Sequence, residues 1–300
     1  MPEPPRRIHF VADRGDARLR LDQVLVRRVV EVTRMSRSRA QEWIETGAVL
    51  VDGAPAVRPA TRVREGASID IALPDSAQAR VRPAPEDRTL DVLYEDEHLV
   101  AVDKPVGLVV HPSYKNASGT LLNALLGRFR ERLDVRPGIV TRLDKDTSGV
   151  LLVALTPGVH ARLQRDPLHK DYLAIVAGTP AARRGTIELA LGRDPRDRRR
   201  MTIVEDGLPS TTRYEVISST DNVSLLRCEL VTGRTHQIRV HLAACGWPIV
   251  GDVVYGAADK RIARPALHSW RVRLHHPVTG APLEISAPMP EDMGAVVRSS

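Results

Sequence analysis

Cysteine is nearly absent from this chain of 300 residues: Cys228 and Cys245 are its only two, and each stands alone. They have no metal-ligand spacing, and no disulfide framework is expected. Aromatic residues make up only 3%, too few for the stacking platforms on which proteins lay long single strands. No apolar run approaches the length of a membrane span. The first residues, 1–7, are rich in Pro and Arg and contain no apolar stretch, unlike a secretory signal. A cytoplasmic location is therefore expected. No Gly-rich loop follows a strand in the way a nucleotide-type cofactor site requires, which argues against an RNA methyltransferase.

What is present is positive charge and enough apolar residues to build a core. The formal net charge is +7, carried mostly by arginine, which suits a polyanionic partner but also plain solubility. The length allows two domains, or one large domain with a small appendage.

Leu21, Val24 and Leu25 are spaced as on one face of a helix. Residues 36–47 predict a second helix, with Ser36 or Ser38 as its cap, Gly47 as its end, and Ala40, Trp43 and Ile44 inward. Val49-Leu50-Val51 running into Asp52-Gly53 predicts a hairpin, and residues 66–73 predict another strand. Arg34, Arg37 and Arg39 lie at the start of the second helix. They are a phosphate-binding face or a solvated one. Residues 74–89 have neither periodicity and are expected to be a linker.

From residue 90 the pattern changes. Residues 90–112 predict two strands around Glu95-Asp96-Glu97, then a Lys104-Pro105-Val106-Gly107 turn. Lys104 there is expected to neutralise a neighbour rather than to catalyse. Residues 121–133 predict an amphipathic helix, 159–165 a short one, and 170–178, 211–217 and 223–230 strands. Arg196, Arg198, Arg199 and Arg200 form the densest cationic run, able to clamp phosphates. In residues 232–248 a turn leads into a helix whose Ile238, Leu242 and Cys245 share the inward face, with His236, Arg239 and Ala243 on another. His236 and His241 point apart, so no zinc site is expected.

The rest of the chain is organised around residues 138–155. Arg142-Leu143-Asp144-Lys145-Asp146-Thr147-Ser148-Gly149 runs directly into Val150-Leu151-Leu152-Val153-Ala154-Leu155, a polar segment at the mouth of a buried strand. In an extended segment Arg142 and Asp144 share a face and Thr141 takes the other.

Arg-Leu-Asp-x-x-Thr-Ser-Gly before such a strand resembles the signature of the ribosomal large-subunit type of RNA pseudouridine synthase. Tyr94-Glu95-Asp96, Lys104-Pro105-x-Gly107, His111-Pro112 and Gly233-Arg234-Thr235-His236-Gln237-Ile238-Arg239 resemble that family's other motifs, and Asp252-x-x-Tyr255-Gly256 their continuation. Arg20-Leu21-Asp22, Ser36-Arg37-Ser38, Ile44, Gly47, Val49, Val51 and Gly53 resemble the small RNA-binding domain named after ribosomal protein S-four. The resemblance implies an α+β chain. A helix and hairpin RNA-binding domain occupies 18–73, a mixed, mainly antiparallel synthase domain with a central cleft 90–288, and a tail 289–300. It implies isomerisation of uridine to pseudouridine by base flipping, with large-subunit ribosomal RNA the expected substrate and transfer RNA left open. No cofactor, no protein partner and a monomer are expected.

By the same resemblance Asp144 is the catalytic carboxylate and Tyr172 stacks on the target base. Arg239 is the guanidinium that keeps the carboxylate ionised, and Arg142 helps to displace the target nucleotide. Arg234 joins the RNA-binding cations. The family usually has His where this chain has Thr141, a change read as one of local packing or RNA contact. The competing reading is a non-catalytic RNA-binding factor in ribosome assembly.

Overall fold

In the computed structural model the described residues are 7–33, 37–72, 83–112, 116–197 and 199–299, without side chains at 30–33. The chain divides into two compact units between residues 82 and 83.

The first unit runs β1 (Arg7–Val11), α1 (Leu21–Thr33), α2 (Arg37–Glu45), β2 (Val49–Val51), β3 (Ala54–Pro55) and β4 (Ser68–Ala72). Its sheet order is β1-β4-β2-β3. Asp52 and Gly53 both have positive φ, 51° and 79°, as a two-residue hairpin turn demands. Leu21, Val24, Leu25, Ala40, Trp43, Ile44, Ile69 and Ile71 close one core. Asp22 is fully buried. It accepts hydrogen bonds from Arg20, from Arg37 Nε at 3.1 Å and from Gln41. Burial opposes its ionisation, but these donors outweigh it and bring the carboxyl down to about 2. The Arg-Leu-Asp at residues 20–22 is thus a staple between α1 and α2. β1 lies ahead of the expected domain start at 18.

The second unit contains β5 (Asp91–Glu95), β6 (Leu99–Lys104), α3 (Leu121–Arg128), β7 (Gly138–Ile139), β8 (Ser148–Ala154), α4 (Pro157–Leu163) and β9 (His169–Ala177). It continues with β10 (Arg184–Glu188), β11 (Leu191–Arg193), β12 (Met201–Ile203), β13 (Thr211–Ser219), β14 (Val223–Leu230) and α5 (Gln237–Ala244). β15 (Leu267–His275), β16 (Pro282–Ser286) and α6 (Glu291–Arg298) complete it. A ten-stranded sheet has the order β10-β13-β14-β9-β15-β8-β6-β5, with β16 on β15 and β7 on β8. Among the described residues only β15 and β8 pair in parallel, so the architecture is α+β and mainly antiparallel.

All seven residues of β8 are buried, and strand alternation explains why. Leu151 and Val153, with Val100 and Val102 of β6, enter the larger core. Val150, Leu152 and Ala154, with Leu99 and Ala101, enter a second core on the other face. A strand covered on both sides reads as a continuous apolar run, and each such side chain contributes roughly 1.5–3 kcal/mol of burial.

Three expectations need correction. The helix expected over 121–133 ends at Arg128, and Leu133 is exposed. Gly127 sits in its last turn because the Glu86 carbonyl packs where a Cβ would be. That same contact shows that residues 83–89 are not linker. Glu86 also bonds the backbone of Asn123 and Gly119, and the Ala84 carbonyl accepts from Asn123. Residues 291–298, expected as tail, form α6. Its Met293 and Val296 are fully buried in the larger core, and its Asp292 takes a two-pronged pair from Arg264. Among the described residues no helix is long and apolar enough to cross a membrane.

Candidate active site

The loop between β7 and β8 carries Asp144, and three contacts fix it. Lys104, fully buried, donates to the carbonyls of Pro105, Leu108 and Lys145 at 2.8, 3.0 and 2.9 Å. Burial lowers its pKa to about 8 against the pull of Asp146 and Asp144. The lysine of the Lys-Pro-x-Gly turn therefore ties that turn to the Asp144 loop through carbonyls, while the nearby charges of Asp146 and Asp144 favour its ammonium. Gly107 N donates to the same Lys145 carbonyl. On the other side Thr141 is buried and its hydroxyl accepts from Leu152 N at 2.9 Å. Thr141 and Leu143 face the protein while Arg142 and Asp144 face out, the alternation expected of an extended segment. Gly149 is required where β8 meets β15. At φ 108° a Cβ there would stand 2.2 Å from the Ser269 carbonyl oxygen.

α5 brings the opposite wall. It is buried on nearly every side: Gln237, Ile238, Arg239, Val240, His241 and Leu242 are all inside, so the single inward face expected from Ile238, Leu242 and Cys245 was too narrow. Gln237 accepts from Thr232 and Arg234 and donates to Thr211 and Thr212, stapling the preceding turn to β13. His241 bonds Thr212 and the Leu189 carbonyl. Arg239 grips Asp252 with Nε and Nη2 at 2.7 and 2.8 Å and gives Nη1 to Asp144 Oδ2 at 3.1 Å. Burial opposes both charges, yet the pairing holds the Asp252 carboxyl below and the guanidinium above their ordinary values.

His236 is not on the helix but at its N-cap, in the left-handed region at φ 55°. Its Nδ1 lies 2.8 Å from the Tyr255 hydroxyl, and its Nε2 lies 3.7 Å from Asp144 Oδ2. Burial lowers its pKa, with Asp144 pulling up and Arg239 pushing down. Tyr255 accepts from Met201 N at 2.9 Å and carries Arg239 and Arg200 over its ring at 5.0 and 5.4 Å. His236, Asp252 and Tyr255 were absent from the expected site. The motif containing all three was legible, but not the turn that aims them.

These walls enclose a cavity of about 520 Å³. Asp144, Tyr172, Arg239, Arg142 and Arg234 all line it, as do Lys145, Lys170 and His236. Five cations and one carboxylate on one cavity suit an anionic ligand that presents one group to that carboxylate. Tyr172, on β9, is 5% exposed. Burial raises its pKa, a hydrogen bond to Ser269 lowers it, and the Asp144 charge raises it.

The remaining cations are not in this cavity. Arg37 and Arg39 belong to the first unit, where Arg37 holds Asp22 and Arg39 lies over the Trp43 ring at 5.2 Å. Arg196, Arg199 and Arg200 lie between β11 and β12. Arg199 pairs with Asp197, and Arg200 reaches the Val254 carbonyl. Arg34 and Arg198 fall outside the described residues. Among the described residues no group of three or more His, Cys, Asp or Glu is placed to hold a metal ion.

Comparison with known proteins adds an independent line. The profile of the RNA pseudouridylate synthase family matches residues 98–244, and that of the S4 domain matches residues 19–69. The chain is 42% identical to ribosomal large subunit pseudouridine synthase D of Xanthomonas campestris, over 91% of this chain and 86% of that protein. Against the protein of that name from Escherichia coli K12 the identity is 39%, over 93% and 90%. Among solved structures, human RNA pseudouridylate synthase domain containing 1 is 30% identical with a TM-score of 0.56, covering 67% of this chain and 83% of that one. The motifs, the sheet that carries them and these relatives agree, and the chain belongs to the RNA pseudouridine synthase family.

Proposed function

We propose that this enzyme isomerises uridine to pseudouridine in large-subunit ribosomal RNA, with Asp144 as the catalytic carboxylate. The observation that carries the reading is Asp144 itself, partly exposed on a cation-lined cavity and met by Arg239 at 3.1 Å. The names of the relatives support the choice of RNA.

The reaction breaks the bond from uracil N1 to ribose C1′, turns the base, and rejoins it through C5. The only net proton change is loss from C5 and gain at N1, so no redox cofactor is required. Asp144 meets the ribose, and Arg239 is its counter-charge, itself held in place by Asp252. A cavity of this size admits one nucleoside, so the target is extruded from its helix at a cost of a few kcal/mol. Arg142, beside Asp144, and Arg234 take the flanking phosphates, and Tyr172 packs against the extruded base. The first unit is the RNA-binding domain, and Arg34, Arg37, Arg39 and Arg196 to Arg200 add phosphate contacts. We take the chain to act as a monomer, and we place that action in the cytoplasm.

The test is pseudouridine mapping in precursor large-subunit RNA incubated with wild type and with Asp144→Asn. The variant keeps size and loses charge. Conversion should fall at least about 10³-fold, or ~4 kcal/mol, with RNA affinity kept or raised. Tight binding without conversion by the wild type would instead support the assembly-factor reading.

A further inference from the structure

His236 Nε2 has no partner at hydrogen-bond distance among the described residues. The Tyr255 oxygen accepts from Met201 N, so the Tyr255 hydrogen is free to go to His236 Nδ1 at 2.8 Å. A neutral ring then carries its proton on Nε2. That Nε2–H faces Asp144 Oδ2 across 3.7 Å, too far for a direct hydrogen bond. The backbone bears strain to put it there, since His236 is one of few non-glycine residues at positive φ. Both groups line the same cavity.

A hydroxyl oxygen fits this gap. Placed beside the pair at about 2.8 Å from each, it accepts from Nε2–H and donates to the carboxylate. A carbonyl can only accept, and so would leave the carboxylate unmet; a C–H group could do neither. The reading of Asp144 as the ribose-side carboxylate, on which this step rests, says which hydroxyl it is. Inside an RNA strand the 3′ and 5′ oxygens are esterified. The 2′-hydroxyl is then the one hydroxyl the ribose has left, on the carbon next to the bond that breaks. We propose that His236, aimed by Tyr255, recognises the 2′-hydroxyl of the target uridine and is the residue by which the site tells ribose from deoxyribose.

A chemical double-mutant cycle tests this in the full-length chain. The substrates are a large-subunit RNA fragment that the wild type converts, and the same fragment with 2′-deoxyuridine at the target position. For the wild type the single deoxy change should lower kcat/KM by at least about 10-fold, a typical cost of leaving a recognition donor unpaired. His236→Phe, which has no donor, should convert the uridine fragment about as poorly as the wild type converts the deoxy one. Its own deoxy penalty should shrink to about 2-fold or less. His236→Gln keeps a donor and should restore most of the penalty. Should His236→Phe fail to fold, Tyr255→Phe carries the same test, since the Nε2 proton is then no longer fixed and the penalty must shrink. An unchanged penalty in the folded variants, or none in the wild type, overturns the role of His236. Failure of the wild type to convert uridine at all would overturn the synthase reading instead, so the two outcomes are distinct.

Discussion

Thr141 shows what a single residue contributes at this site. Its position three residues before Asp144 suggests a chemical role, yet at the cavity wall its hydroxyl accepts the Leu152 N–H. Thr141→Val leaves that buried donor without a partner. It should cost about 1–3 kcal/mol of stability with kcat nearly unchanged, read by urea melting beside a conversion assay. An equal loss of kcat would mean that the residue serves the chemistry. Tyr172→Phe removes a buried hydroxyl that meets Ser269 but leaves the ring. Conversion should fall less than about 10-fold, because stacking survives the loss of a hydrogen bond worth about 1 kcal/mol. A loss as deep as that of Asp144→Asn would give the hydroxyl, not the ring, the main role.

Among the elements, the junction of β8, β15 and α6 has a pH dependence built in. His268 on β15 is fully buried. It bonds Ser148 at 2.9 Å and the Ala287 carbonyl at 3.3 Å. Burial holds its pKa at about 4, with the Ala287 bond pulling up and Arg264 pushing down. The unfolded chain, at about 6.5, binds the proton that the folded chain refuses. Stability is therefore fully present above pH 6.5 and is lost as pH falls from 6.5 towards 4, by roughly 2–3 kcal/mol from this group. Urea midpoints measured across that window should fall for the wild type and fall visibly less for His268→Gln. The same slope in both would show that other groups, such as the buried His241, carry the acid sensitivity. Ser148 belongs to the Thr-Ser-Gly of the central motif, so part of that motif secures a sheet junction and not the chemistry.

For the whole molecule, the separate cores of the two units predict that residues 83–300 fold without the first unit. This piece should be soluble, melt cooperatively and convert a short RNA at reduced affinity. A piece starting at residue 90 should be less stable, because it lacks the Glu86 and Ala84 hydrogen bonds to α3. If 83–300 is molten, the units depend on each other. Removing phosphate-binding cations should also flatten the salt dependence of RNA binding. The log–log slope should fall by about 1 for each phosphate that is no longer neutralised. Arg196→Ala tests this more cleanly than Arg37→Ala or Arg39→Ala, since Arg37 also braces Asp22 and Arg39 packs over Trp43. Unchanged slopes would return these arginines to a solvated surface.

Sequence by itself determined the elements whose physics is local. The hairpin at Asp52-Gly53, the apolar run of β8 and the alternation that pairs Arg142 with Asp144 follow from strand period and turn chemistry, and the motifs named the family. Pairings distant along the chain were decided only by the tertiary structure. Asp144 and Arg239 are 95 residues apart, and no local rule states that they meet. The 83–89 segment looks like linker because it carries almost no apolar residues, and 291–298 looks like tail because two helical turns are too short to signal themselves. They are ordered by surfaces that exist only once α3 and the larger core have formed. His236 was legible as a letter of a motif. Its donor reaches the cavity because a left-handed turn, the Tyr255 hydroxyl and the Met201 backbone converge there, and such convergence is a property of the folded chain.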